Sequence, residues 1–256
     1  MGILKTNNYV FLFNFTVFLG SVWLFLRIPQ YIAYILLFLV AAYCLESIFM
    51  LKNSPIDDRW WNLAIFPSVA SVSLLSALTV LSENNFFRLA ILAVTWLIAS
   101  YWRKAYLFFH EPRRYRLGSL EYLADYGNIL IIFFLSISFY GFRDYLDTPF
   151  WILSSALAAL LGFLFYYFFW SNKLPFRASW PYLLVSVAVL SQLAWAISLL
   201  PFTFMNSSIL FAVLFYAVSH LQKLHLQAKL TNEKIRHYIA FVTLTFIIIF
   251  LSARWL

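Results

Sequence analysis

Apolar runs of about twenty residues recur nine times along this chain, each ended by Pro, Asn, Asp or a short Arg/Lys cluster. A helix needs about twenty mostly apolar residues to cross a hydrocarbon core roughly 30 Å thick, so the repeat length itself points to a bilayer. The runs cover approximately residues 9–27, 31–51, 61–81, 86–107, 122–142, 150–170, 181–200, 207–222 and 238–254. Backbone polar groups find no water in hydrocarbon, and no run alternates with the period of two that a membrane barrel requires. The chain is therefore expected to be all-α, a polytopic membrane bundle of about nine transmembrane helices. It forms one integral membrane domain over residues 1–256, because no connection is long enough for a soluble domain.

Composition excludes the main alternative. The sequence is 64% apolar, 21% aromatic and 11% charged, whereas a soluble domain has roughly 45–50% apolar and about 25% charged residues. The net charge of +8 comes from short clusters between apolar runs, not from a basic arm or face. Anionic lipid headgroups are the expected counterpart, with no nucleic acid. Cys44 is the one cysteine and lies inside a run, so no disulfide within the chain or thiolate metal cluster is expected. The first run lacks a small-residue cleavage site and reads as a retained span, with a loose match to a myristoylation pattern through Gly2 and Thr6.

Placing Lys and Arg on alternate sides of nine spans gives a sharp asymmetry. One side holds Lys5, Lys52, Arg59, Arg103, Lys104, Arg113, Arg114, Arg116, Lys173, Arg177, Lys223, Lys229, Lys234 and Arg236. The other holds Arg27, Arg88, Arg143 and Arg254. The positive-inside rule then puts the N-terminus in the cytoplasm and the C-terminus outside, in the cytoplasmic membrane. An error in the number of spans would scramble this bias.

Spans 3 and 4 resemble spans 7 and 8 at an offset of 119 residues: Trp61 falls on Trp180, and Ala93, Val94, Ser100, Lys104 and Leu107 fall on Ala212, Val213, Ser219, Lys223 and Leu226. An even number of spans per half gives a parallel 4+4 repeat, halves 9–119 and 120–237, with a final helix 238–254. Chance identity in a Leu, Ala and Ser-rich chain is the alternative.

Polar side chains inside apolar spans are costly and are the default functional candidates. They are Asn14, Glu46, Asp125, Asn128 and Gln192, with His220 near a span end. Glu121, Asp125 and Asn128 share one helix face by their i, i+4, i+7 spacing; Glu121 also suits the positive end of a helix dipole. Arg103, Lys104, Arg113, Arg114 and Arg116, interleaved with aromatics, are candidates for contact with anionic headgroups at about 1 kcal/mol each. Residues 221–237 read as an amphipathic extension of span 8. Ser154, Ala158 and Gly162 form a small-residue ridge suited to close helix approach, and the serines of spans 3 and 7 are expected to serve packing.

Catalytic patterns are missing from the sequence. His110, His220, His225 and His237 make no i, i+4 pair, and neither a Gly-rich phosphate loop nor a nucleophile elbow is present. Asp57 and Asp58 in the loop after span 2 have no acidic counterpart in "SNKLPFRASWP" after span 6, so half of a paired-aspartate metal and diphosphate site is lacking. No cofactor or metal is expected. Three functional classes follow: a non-enzymatic structural, assembly or partner subunit working through helix packing; a small permease or lipid translocator with a polar cavity open to the cytoplasm; and an enzyme on a lipid-linked substrate, with Arg113, Arg114 and Arg116 on phosphate and Asp125 or His110 as acid or base.

Overall fold

A computed structural model describes residues 3–52, 59–81, 85–111, 114–116, 118–146 and 148–252 of the chain. Among these residues there are nine α-helices and no strand: α1 (Ile3–Arg27), α2 (Ile32–Lys52), α3 (Trp60–Leu78), α4 (Asn85–His110), α5 (Ser119–Leu146), α6 (Phe150–Ser171), α7 (Phe176–Ser198), α8 (Phe204–Leu226) and α9 (Asn232–Ser252). All nine are long and apolar enough to cross a membrane, which supports a multi-pass membrane protein. Most extend several residues beyond the apolar runs, because helical hydrogen bonding continues into flanks that hydropathy alone does not mark.

Helix ends follow local chemistry. Pro29 opens the single 3₁₀ turn Pro29–Tyr31 that joins α1 to α2. Pro149 and Pro175 stand immediately before α6 and α7, where a missing N–H costs nothing to a helix that starts after them. At the end of α6 Lys173 takes φ 56°, and the Leu174 N–H donates to the Phe169 carbonyl at 3.0 Å. Ala228 takes φ 54° after α8, and the Lys229 N–H donates to the Leu224 carbonyl at 2.8 Å. Both are left-handed caps of the kind glycine usually supplies. The second one stops α8, so residues 221–237 are not one amphipathic extension. Residues from Asn232 onward belong to α9, whose first turn is capped by Thr231 Oγ1 accepting from the Lys234 N–H at 3.4 Å.

The chain divides into two compact units, Met1–Gly127 and Asn128–Leu256, with the boundary inside α5. In the first unit α1 lies along α4 and α2 along α3, α3 packs on α4, and α1 touches α2 only lightly. In the second, α6 packs on α7, α7 on α8 and α8 on α9. The outward surface of α9, with Ile239, Leu244, Ile248 and Leu251, is exposed and apolar.

Two proline-bearing helices show how backbone groups are satisfied. Pro67 lies inside α3 and has no N–H to give the Leu63 carbonyl. That carbonyl accepts instead from the Tyr101 hydroxyl of α4 at 3.1 Å. In the second unit the last carbonyls of α7 are met by α5: Tyr140 donates to the Ala194 carbonyl at 3.3 Å and Arg143 to the Ser198 carbonyl at 2.6 Å. The buried serines mostly turn back on their own helices, as Ser73 does to the Val69 carbonyl at 2.8 Å and Ser138 to the Phe134 carbonyl at 3.0 Å. The ridge of Ser154, Ala158 and Gly162 makes no close helix approach at its glycine, since a Cβ on Gly162 would meet nothing within 4 Å.

Candidate functional site

The short α1–α2 turn determines which polar residues meet. Residues equidistant from a tight helical hairpin turn lie at equal depth, because both helices rise about 1.5 Å per residue. Asn14 and Glu46 are each sixteen positions from Gln30, at the centre of the 3₁₀ turn. Asn14, 2% exposed, donates from Nδ2 to Glu46 Oε1 at 2.8 Å and to its own Val10 carbonyl at 3.0 Å. Both protons of the amide are thereby used, one to hold its own rotamer and one to cross to α2. Glu46 is half-buried and has no ion-pair partner among the described residues. Its carboxyl in an apolar span therefore depends on the Asn14 donor.

One turn along α2, Tyr43 is 2% exposed and its hydroxyl lies 3.2 Å from Ser71 Oγ on α3. Ser71 commits its one proton to the Pro67 carbonyl at 2.8 Å, so Tyr43 is the donor to Ser71. The Trp102 ring of α4 lies 6.1 Å from that of Tyr43, and its indole N–H is buried with no acceptor among the described residues. The first unit thus carries polar groups from all four of its full helices: Asn14, Glu46 with Tyr43, Ser71 and Trp102. Tyr43 and Trp102 are invisible to a search for ionisable residues, because aromatics with polar tips are common in any membrane chain.

The remaining candidates are distributed differently. Asp125 is 6% exposed and belongs to the first unit, yet it is not among the groups bonded to Glu46. Asn128 is 1% exposed and is the first residue of the second unit; neither atom of its amide has a partner among the described residues. Gln192 lies on the exposed face of α7 among the exposed apolar residues Val185, Val189 and Trp195. In the second unit a polar group not anticipated from the sequence joins α7 to α8. Gln222 donates to Ser186 Oγ and, at 3.4 Å, to the Tyr182 carbonyl, while His225 Nε2 lies 2.9 Å from the Tyr182 hydroxyl. His220 is packed between rings, 4.2 Å from Tyr216 and 6.4 Å from Tyr238. No group of three His, Cys, Asp or Glu side chains that could hold a metal occurs among the described residues.

The basic segment after α4 builds the start of α5. Gly118, at φ 81°, makes the turn. The Tyr115 hydroxyl accepts from the Leu120 N–H at 3.0 Å, one of the orphan donors of a helix start, and donates to Glu121 Oε2 at 2.9 Å. Burial first, and the Glu121 carboxylate in addition, push the Tyr115 phenol up to about 12, which keeps its proton in place for that bond. Lys104 Nζ donates to the Ser119 carbonyl at 3.0 Å. Arg114, half-exposed, pairs with Glu111 at 3.3 Å, a surface contact worth well under about 1 kcal/mol. Arg103 and Arg116 are exposed, while Arg113, like Asp57 and Asp58, lies outside the described residues. Lys104, Tyr115 and Glu121 are therefore tied into the helix start, and the exposed guanidinium groups are those of Arg103, Arg114 and Arg116.

No protein-family model, curated protein or solved structure matches this chain.

Proposed function

We propose that this chain is a multi-pass protein of the cytoplasmic membrane, N-terminus inside, that works as a non-enzymatic partner or assembly subunit through its helix surfaces. The observation that carries this reading is Gln192. A primary amide on an outward, otherwise apolar face of a membrane helix lacks a donor or acceptor in lipid, and such groups act as glue between helices. The fourteen cytoplasmic Lys and Arg residues agree with the orientation, and exposed Arg103, Arg114 and Arg116 suit anionic headgroups. A photo-crosslinking amino acid at position 192 of the full chain in native membranes is expected to yield one discrete protein adduct. The same probe at Leu251, 78% exposed on α9, serves as the lipid-facing control. Gln192→Leu should weaken the association about fivefold, near 1 kcal/mol. Labelling of lipid alone at both positions would remove the basis of the reading.

A second reading, a small permease built as a parallel repeat, is favoured by matching contacts in the two units. The α2–α3, α3–α4 and α2–α4 contacts of the first correspond to α6–α7, α7–α8 and α6–α8 of the second. Leu63 and Tyr182, 119 residues apart, both offer their carbonyls to a side chain of the next helix, Tyr101 and Gln222. Such duplication favours a central pathway. Flux of a solute or lipid in proteoliposomes, abolished by Glu46→Gln while the protein stays folded, is the result this reading requires. Flux unchanged in that variant sinks it.

A further inference from the structure

Between α1 and α2, on the side of their turn, lies a groove of about 590 Å³ lined by Thr16, Val17, Gly20, Leu24, Tyr31 and Ile35, among others. We propose that it is a lipid-binding site that holds one acyl chain of a phospholipid from the leaflet at the α1–α2 turn, with the phosphate at Arg27. The proposal rests on insertion of the chain in a membrane. Four observations point to this occupant.

Away from the Tyr31 and Tyr34 hydroxyls at its turn end, the lining offers little to a polar ligand. Thr16 spends its hydroxyl on the Leu12 and Phe13 carbonyls, both at 2.9 Å, and Ser21 on the Val17 carbonyl at 2.9 Å. The floor is open as well, since a Cβ on Gly20 would meet nothing within 4 Å.

Length suits this occupant. Thr16 to Ile28 spans about 18 Å of helix, close to the depth of one leaflet, roughly 15 Å of a 30 Å core, which is what one acyl chain occupies.

The rim supplies the headgroup contact. Arg27 is exposed beside the lining residue Ile28, with its guanidinium 5.6 Å from the Trp23 ring. Tyr31 and Tyr34, 48% and 71% exposed, stand at the same end as an interfacial belt would. At the far end, beyond Thr16, the chain reaches buried Asn14 and its bond to Glu46, so the groove ends within the membrane.

Native mass spectrometry of the full chain, extracted from phospholipid membranes in mild detergent, tests the site. One phospholipid is expected to stay bound to the native chain. Gly20→Leu, whose Cβ meets nothing within 4 Å and whose longer side chain extends into the groove, should cut occupancy at least tenfold at a melting temperature no lower than the native one; Gly20→Ala should retain the lipid. Arg27→Gln should cut it several-fold. A native chain without lipid, or equal retention in Gly20→Leu, overturns the proposal. So does a dimer mass that Gly20→Leu abolishes, which would give the groove to a second copy. Release of the chain from membranes by alkaline carbonate would instead show that insertion itself fails, and the lipid site with it.

Discussion

Asn14→Leu is expected to destabilise the first unit by about 2 kcal/mol, and adding Glu46→Leu is expected to return most of that loss. The single change strips the one side-chain donor, at 2.8 Å, from a carboxyl in an apolar span, and an orphaned buried polar group costs about 1–3 kcal/mol. Replacing both partners by leucine removes the need for the bond, so the double variant should lie within about 1 kcal/mol of the native chain. A double-mutant cycle from unfolding titrations in mixed micelles reads the coupling, which interhelical bonds in membranes place at about 0.6–1.7 kcal/mol. Strict additivity would mean that the pair contributes nothing to the α1–α2 contact. Glu46→Gln keeps an acceptor oxygen for Asn14 and should leave stability nearly unchanged. It therefore separates a role for the ionisable group from a role in packing.

Gly127→Leu is expected to cost at least about 3 kcal/mol, more than the loss of the Asn14 donor, because it overfills a packed contact. A Cβ on Gly127 would lie 2.6 Å from Phe66 Cζ and 3.2 Å from Leu97 Cδ1. Phe66 is fully buried, with its ring 4.7 Å from that of Tyr101, so it has little room to retreat. For Gly127→Ala two effects oppose each other: about 1 kcal/mol gained in helix propensity and about 1–3 kcal/mol lost to overpacking. The net loss should be at most about 2 kcal/mol. Leucine adds three more carbons to the same contact, with no further gain in propensity. Phe66→Leu introduced beside Gly127→Ala should recover stability if the clash is the cause. A Gly127→Leu variant that melts with the native chain would contradict the packing described.

The nine long apolar helices among the described residues are legible in the sequence because length and hydropathy mark each of them without reference to its neighbours. Helix ends are legible where proline stands, at Pro29, Pro149 and Pro175, and illegible where a left-handed cap falls on Lys173 or Ala228. Ala228 is the clearest case: alanine is the best helix former, so composition argues for continuation through the residue where α8 stops. Rarity in an apolar context singles out Asn14 and Glu46, but their pairing follows only once the α1–α2 turn is centred on Gln30, which makes their depths equal. Gln192 is equally visible as a polar residue, yet its outward direction depends on which face of α7 packs. Tyr43, Ser71, Tyr182 and Gln222 acquire meaning only from helix rotation, which no local pattern encodes in spans with little amphipathic asymmetry.

The Tyr101 bond to the carbonyl that Pro67 leaves free bears on whether α3 can stand alone. An unsatisfied carbonyl in hydrocarbon costs several kcal/mol, so α3 alone is an incomplete membrane segment with a broken rung in its ladder. The missing rung is delivered only by α4, thirty-eight residues later. In the bilayer proposed above, α3 is therefore complete only with α4 packed on it. Tyr101 is in this sense a borrowed rung, a hydroxyl that makes the hydrogen-bond ladder of one helix depend on its neighbour.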